Sequence, residues 1–305
     1  MRQRADNAWG EHALQIELPA ASVRLTGLSA RQRSSLSSIY SGFITNSPVC
    51  TDQYSIVCNA YRLNSAPTES PETLTQAGQY APLKIRWADG VDLTGVNFEA
   101  RIGLGSPPGL SSLGTAEEHE LAQANVIENF LRVFLAHCAL RQNGVILHSA
   151  GLVFDGQAYI FSGRSNAGKT TLTRKAFDSG AWVLSDDINL VLPHEQGYRA
   201  HAVPFTGEFG RTLQHEGGQK SYPVAGIVLL EQADTLETAP VPPSIALARL
   251  LVGCPFVNTD PEESATLFDV LAGLVAKVPV IRLRSRRDDD IEAIMTKVKG
   301  EFNHA

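Results

Sequence analysis

Gly163-Arg164-Ser165-Asn166-Ala167-Gly168-Lys169-Thr170 is the stretch that decides the fold of this 305-residue chain. The octet fits G-x-x-x-x-G-K-[ST], a loop whose glycines let successive backbone N–H groups turn inward around phosphate oxygens. It follows an apolar run ending at Ser162 and precedes a predicted helix that stops at Gly180. That strand–loop–helix order adds the positive end of the helix dipole to the loop amides. The spacing lets Lys169 reach the β- and γ-phosphates of a nucleotide and lets the Thr170 hydroxyl bind Mg²⁺. The residues assigned to the nucleotide are therefore Gly163, Ser165, Asn166, Ala167, Gly168, Lys169, Thr170 and Thr171. Arg164 reads as a solvated loop side chain.

Upstream, Val145 to Phe154 and Gln157 to Ser162 are apolar runs separated by Asp155-Gly156. Asp-Gly between two such runs predicts a two-residue hairpin. The strand entering the loop is then antiparallel to the one before it, whereas a doubly wound nucleotide fold would bring a parallel strand there through a helix. Downstream, Ala181-Trp182-Val183-Leu184-Ser185-Asp186-Asp187 is an apolar strand ending in two carboxylates, the first of them seventeen residues after Lys169. An acid at the end of a buried strand beside a phosphate loop is placed to hold Mg²⁺. A second can accept a proton from an attacking hydroxyl, and adjacent carboxylates raise each other's pKa. His148 lies in the first hairpin strand. A lone histidine there is either a satisfied core residue or a neighbour of the site.

The remainder of the main domain reads as a strand at Val224–Leu230, a helix from Ser244, a helix from Asp260-Pro261 to about Ala276, a strand at Val278–Leu283 and a helix at Ile291–Val298. The first half carries strand-like runs at Tyr54–Leu63, Leu83–Trp87 and Val96–Ile102, and a helix over Ala30–Gly42 opened by a Ser29/Gln32 capping box. Residues 65–80 and 103–114 are loop-like. A further helix is expected after Thr115, with Glu118 as its capping partner and Asn143-Gly144 as its stop. The expected organisation is a small α+β domain over 1–112 and a catalytic domain over 113–305, with 113–143 as the linking helix.

Composition narrows the classes. Hydrophobic residues make up 43% and charged residues 19%, enough for a sizeable core and unlike a disordered chain or a coiled coil. A net charge of −6 argues against a broad nucleic-acid or anionic-membrane surface. Four scattered cysteines without a C-x-x-C pair suit free thiols in a reducing compartment rather than a disulfide scaffold or structural zinc. The N-terminus has no signal-peptide core, and no apolar run nears the ~20 residues of a spanning helix. The expectation is a soluble, cytoplasmic protein. The histidines show no metal-ligand spacing, and Gly103-Leu104-Gly105 fails as a dinucleotide turn because Pro107-Pro108 follows.

Taken together, Leu147-His148-Ser149-Ala150, the loop Gly163–Thr171 and Leu184-Ser185-Asp186-Asp187 resemble the HPr kinase/phosphorylase family, and more closely its divergent HPr-kinase-like relatives. The match covers roughly 129–191. The fifteen-residue interval from His148 to Gly163 fits the family. The resemblance implies an α+β or α/β kinase core with a mixed sheet, similar to that of ATP-dependent phosphoenolpyruvate carboxykinase. It implies an ATP- and Mg²⁺-dependent kinase acting on a seryl hydroxyl of a protein or peptide. In that reading Asp186 matches the general base, Asp187 the metal-linked acid, His148 the active-site histidine, Lys169 the phosphate-binding lysine and Thr170 the metal-binding hydroxyl. The segment Val203–Arg211 looks like a site loop of the divergent relatives; the stretch after it, Arg211 to Ser221, is either a lid that brings Arg211 or Lys220 to the transferring phosphoryl group or an ordinary exposed loop. Cys254-Pro255-Phe256-Val257-Asn258 also resembles these relatives and reads as packing. The family forms oligomers, so self-association is carried over as an expectation.

The chain also departs from the family. The C-terminal signature of true HPr kinases, with its Pro-Gly-Arg-Asn element, has no counterpart, which puts phosphorolysis and HPr itself in doubt. Two other readings stay open: a regulatory module that binds nucleotide without transfer, and a small-molecule kinase or carboxykinase-type enzyme. The residues name neither the acceptor nor the preferred base.

Overall fold

Alternating apolar residues place the early strands in one sheet: Leu14, Ile16 and Leu18 are buried along the first of them. The computed structural model describes residues 7–45, 54–65, 67, 83–88, 90–105, 109–195, 197–205, 207 and 221–302. Within them β1 (His12–Leu18), β2 (Ala21–Leu28), β3 (Ser55–Arg62), β4 (Leu83–Ala88), β5 (Gly90–Gly95), β6 (Phe98–Ile102) and β7 (Ser111–Thr115) form a seven-stranded mixed sheet in the order β1-β2-β3-β7-β6-β5-β4. β3 is parallel to β2 and to β7, and the other pairs are antiparallel. Helix α1 (Ala30–Ile39) begins at Ser29, whose hydroxyl accepts from the Gln32 amide while the Gln32 side chain accepts from the Ser29 amide. Both halves of the expected capping box are thus present.

The helix expected to start at Thr115 starts later. Thr115 is the last residue of β7, held between Arg62 and Phe98 by ladder pairing. The capping box forms instead between Glu117 and Glu120, on a 3₁₀ turn over Glu118–Ala122. A π-type turn over Ala124–Glu128 follows, and only then α2 (Asn129–Arg141). The chain divides into two compact units, Met1–Cys138 and Ala139–Ala305. The boundary expected after residue 112 falls inside β7, whose pairing assigns it to the first sheet.

The second unit is built on β8 (Val145–Phe154), β9 (Gln157–Ser162), β10 (Trp182–Ser185), β11 (Ile188–His194), β12 (Gly197–His201), β13 (Ser221–Gln232), β14 (Glu237–Pro240) and β15 (Val280–Ser285). Their eight-stranded mixed sheet runs β10-β8-β11-β12-β13-β15-β14, with β9 between β8 and β13. The β8–β9 hairpin is antiparallel, and its turn residues Asp155 and Gly156 have φ of 50° and 73°, the pair of positive values a type I′ turn requires. β13 pairs in parallel with both β9 and β15.

Helices α3 (Lys169–Asp178), α4 (Pro243–Val252), α5 (Ser264–Lys277) and α6 (Ile291–Phe302) complete the unit. One core forms where α3 and α6 meet the sheet: Leu172, Ala176, Ile294, Met295 and Val298 bury against Ala150, Leu152, Tyr159, Phe161 and Val228. That packing seats the helix after the glycine-rich loop on the face shared by β8 and β9. Cys58, Cys138 and Cys254 are buried. Cys50, Lys220 and Arg211 lie outside the described residues.

His201, at the end of β12, supplies a pH test of this unit. Burial, together with the Arg199 and His194 charges, lowers its pKa from 6.5 to about 4. Between those values the unfolded chain binds more protons than the native one, so stability falls as pH drops from about 6.5 toward 4. His201→Gln is expected to narrow the difference in Tm between pH 7 and pH 4, measured by calorimetry, relative to wild type.

Candidate active site

β8 carries the site's two walls on its flanks. On one side Ser149 pairs with Ser162, the last residue of β9 before the glycine-rich loop. On the other, β8 pairs with β10 and β11 in succession: Ser185 lies opposite Gly151 and Ile188 opposite His148. Asp186 and Asp187 occupy the step between these two ladders, and the Ser149 amide donates to the Asp187 carbonyl at 2.9 Å. The register slips by one residue between Val183 and Ser185, a bulge that turns the chain just before the acids. Ser185 fixes that turn, since its hydroxyl accepts from the amides of Asp187 and Ile188 at 3.1 Å each.

The loop closes around its own lysine. Gly168, at the start of α3, has φ 103°, and Asn166 has φ 63°. The Lys169 amine donates to the carbonyls of Gly163 at 2.9 Å and Arg164 at 3.2 Å. The side chain is buried, 4% exposed. Burial lowers its pKa, and the negative charge of Asp187 partly opposes that. A buried ammonium whose burial penalty is countered by the Asp187 carboxylate ties the two walls together electrostatically. Ser165 and Asn166 are exposed, while Thr170 and Thr171 are half-buried on the first turn of α3. The Gln232 side chain at the end of β13 donates to the Asn166 carbonyl at 2.7 Å.

Both acids are buried, Asp186 at 4% and Asp187 at 6% exposed. The His148 Nε2 stands 3.7 Å from Asp187 Oδ1, within ion-pair range when the ring is protonated. The His148 backbone N–H donates to the Gly253 carbonyl at 2.8 Å, which brings the end of α4 beside the histidine. Just beyond, Phe256 has φ 73° and ψ −59°, and the Val257 amide donates to the Pro255 carbonyl at 2.9 Å. This is the rare, strained form of γ-turn. Cys254 is buried and its Sγ donates to the Leu250 carbonyl. Burial pushes its thiol pKa well up, in keeping with a packing role.

The structure thus brings Lys169, Asp187 and His148 into one neighbourhood, with Asp186 adjacent in the same turn. The loop Val203–Arg211 is described only to Phe205 and at Gly207. A supporting residue escaped the sequence reading: Asn189, fully buried on β11, whose amide donates to Ser149 O at 2.7 Å and Ser149 Oγ at 3.0 Å. Its signal was an amide inside the apolar run Ile188–Leu192. It braces β8 at the residue that touches both walls.

No curated protein matches the chain. Among solved structures, the HPr(Ser) kinase/phosphatase from Coxiella burnetii is similar with a TM-score of 0.31 at 12% identity, over 52% of this chain and 97% of that one. The family described as SynChlorMet cassette protein ScmC matches residues 112–286.

The loop geometry makes a test independent of chemistry. A Cβ at Gly168 would meet nothing nearer than Leu230 Cδ2 at 4.0 Å, so replacement there is penalised by backbone conformation alone. Gly168→Ala is expected to cost roughly 1–3 kcal/mol in urea unfolding, with an unchanged m-value.

Proposed function

The chain belongs to the SynChlorMet cassette protein ScmC family, and we propose that its site transfers the γ-phosphoryl group of ATP, with Mg²⁺, to a serine-type hydroxyl of a protein or peptide. In this reading the second unit is a P-loop kinase core of the HPr-kinase type. The observation that carries it is the seating of the glycine-rich loop and the acid pair on the two flanks of β8, with Ser149 opposite Ser162 and hydrogen-bonded to Asp187. A phosphate-gripping loop and a carboxylate pair flanking one strand is the arrangement that phosphoryl transfer needs, because such catalysis is mostly positioning and charge neutralisation.

Each residue then has a task. The amides of 163–169 and the Lys169 ammonium hold the β- and γ-phosphates, for which the amine must leave the Gly163 and Arg164 carbonyls it now binds. Thr170 and Asp187 would hold Mg²⁺. A hydroxyl and a carboxylate are hard oxygen donors suited to that ion, which keeps waters and phosphate oxygens for its other positions. Bound there, Mg²⁺ supplies neutralisation of the phosphate charge. His148 steadies the Asp187 carboxylate. Asp186 takes the proton of the acceptor hydroxyl as its oxygen bonds to the γ-phosphorus and the bond to the β-phosphate oxygen breaks, leaving ADP. Arg211 is assigned to the transferring group by resemblance alone. A cytoplasmic setting and self-association complete the proposal.

Incubation with γ-labelled ATP, Mg²⁺ and candidate acceptor peptides, followed by mass mapping, tests it. Wild type is expected to label a seryl residue. Lys169→Ala is expected to lose at least about 100-fold in transfer rate. Asp186→Asn is expected to bind ATP with wild-type affinity by calorimetry yet transfer nothing measurable. Equal transfer by Lys169→Ala and wild type would overturn the mechanism, and ATP binding by wild type without transfer to any acceptor would favour a regulatory module.

A further inference from the structure

The twin acids have different surroundings. Asp187 has His148 Nε2 at 3.7 Å and the Lys169 charge nearby. Asp186 lies against Gly207. A Cβ built at Gly207 would stand 2.2 Å from Asp186 Oδ1, 2.5 Å from its Cγ and 2.7 Å from its Oδ2. All three distances are shorter than a side-chain carbon can tolerate, so the Gly207 backbone lies close against the carboxyl group where a side chain would stand.

The glycine is there for room and not for conformation. Its φ lies outside the left-handed region in which other glycines of the chain sit. The approach to it is anchored, because Ala202, Val203 and Phe205 are buried at 3%, 1% and 3% exposure. On the other side, Asp186 belongs to the turn fixed by the Ser185 hydroxyl and is itself 4% exposed. A short carboxyl side chain held between two anchored segments has little freedom to swing aside.

We infer that Gly207 is a positioning residue for Asp186: the missing side chain lets the backbone lie against the carboxylate, fixing its orientation and shielding it from bulk water on that side. The inference rests on the kinase reading for its catalytic meaning, since an oriented, partly desolvated carboxylate is what a proton acceptor requires. The contact itself stands independently of that reading.

A double-mutant cycle tests it. Gly207→Ala is expected to lower Tm by about 3 °C or more in the wild-type background and by less than about 1 °C in an Asp186→Ala background, where the obstructing carboxylate is gone. If Gly207→Ala does not fold at all, the double variant is expected to recover folding. Equal Tm losses in both backgrounds, or a double variant that stays unfolded, would overturn the inference. In the transfer assay Gly207→Ala is expected to reduce kcat at least tenfold while the KM for ATP stays within twofold; unchanged kcat overturns it. Absence of transfer by wild type would sink the kinase reading alone, and the Tm coupling would still decide whether Gly207 holds the carboxylate.

Discussion

Ser149 holds Ser162 on one side and Asp187 on the other, and the ladders of β8 keep the three at one level. Adjacent strands lie about 4.8 Å apart, so this alignment sets the mouth of the glycine-rich loop and the acid pair roughly 10 Å apart along the sheet. A one-residue slip of either ladder would turn every side chain of that strand to the opposite face. Asn189 guards against the slip, because its amide bonds Ser149 at both the carbonyl and the hydroxyl. Gly151, one alternate position along, leaves room for that amide, and a Cβ there would meet Asn189 Oδ1 at 2.1 Å.

The charges follow from the same geometry. An ammonium at 4% exposure is disfavoured unless something replaces its water. The carbonyls of Gly163 and Arg164 do part of this, and the Asp187 charge does more. The acids divide their labour by neighbourhood: Asp187 looks toward His148 and Lys169, and Asp186 toward the Gly207 backbone.

Local chemistry made much of this legible in advance. The Asp155-Gly156 turn, the Ser29/Gln32 cap and the helix after Gly168 each rest on interactions within a few residues, and each is present. What the sequence hid depends on partners far along the chain. Thr115 has the right chemistry for a helix cap, yet ladder pairing with Arg62 and Phe98 claims it for a strand. β1, β2, β5, β7, β11, β12 and β14 are not among the expected strands, and β7 overlaps a stretch read as loop, because polar residues and glycines interrupt most of them and only sheet pairing justifies them there. Asn189 shows in the sequence only as an amide in an apolar run, because its role comes from hydrogen bonds to Ser149 at a separation of 40 residues, and Gly207 takes its meaning only from the Asp186 carboxyl beside it.

The two-residue connection between β8 and β9 also bears on the order of assembly. A hairpin closes within roughly 1–10 μs, because its ends are already neighbours along the chain. The other partner of β9 is β13, which begins at Ser221 and must travel much farther to dock. The β8–β9 pair is therefore available as an early template onto which the acid-bearing strands and then the parallel strands add. Within the second unit, the turn that leads into Gly163 closes before the strands farther along the chain arrive.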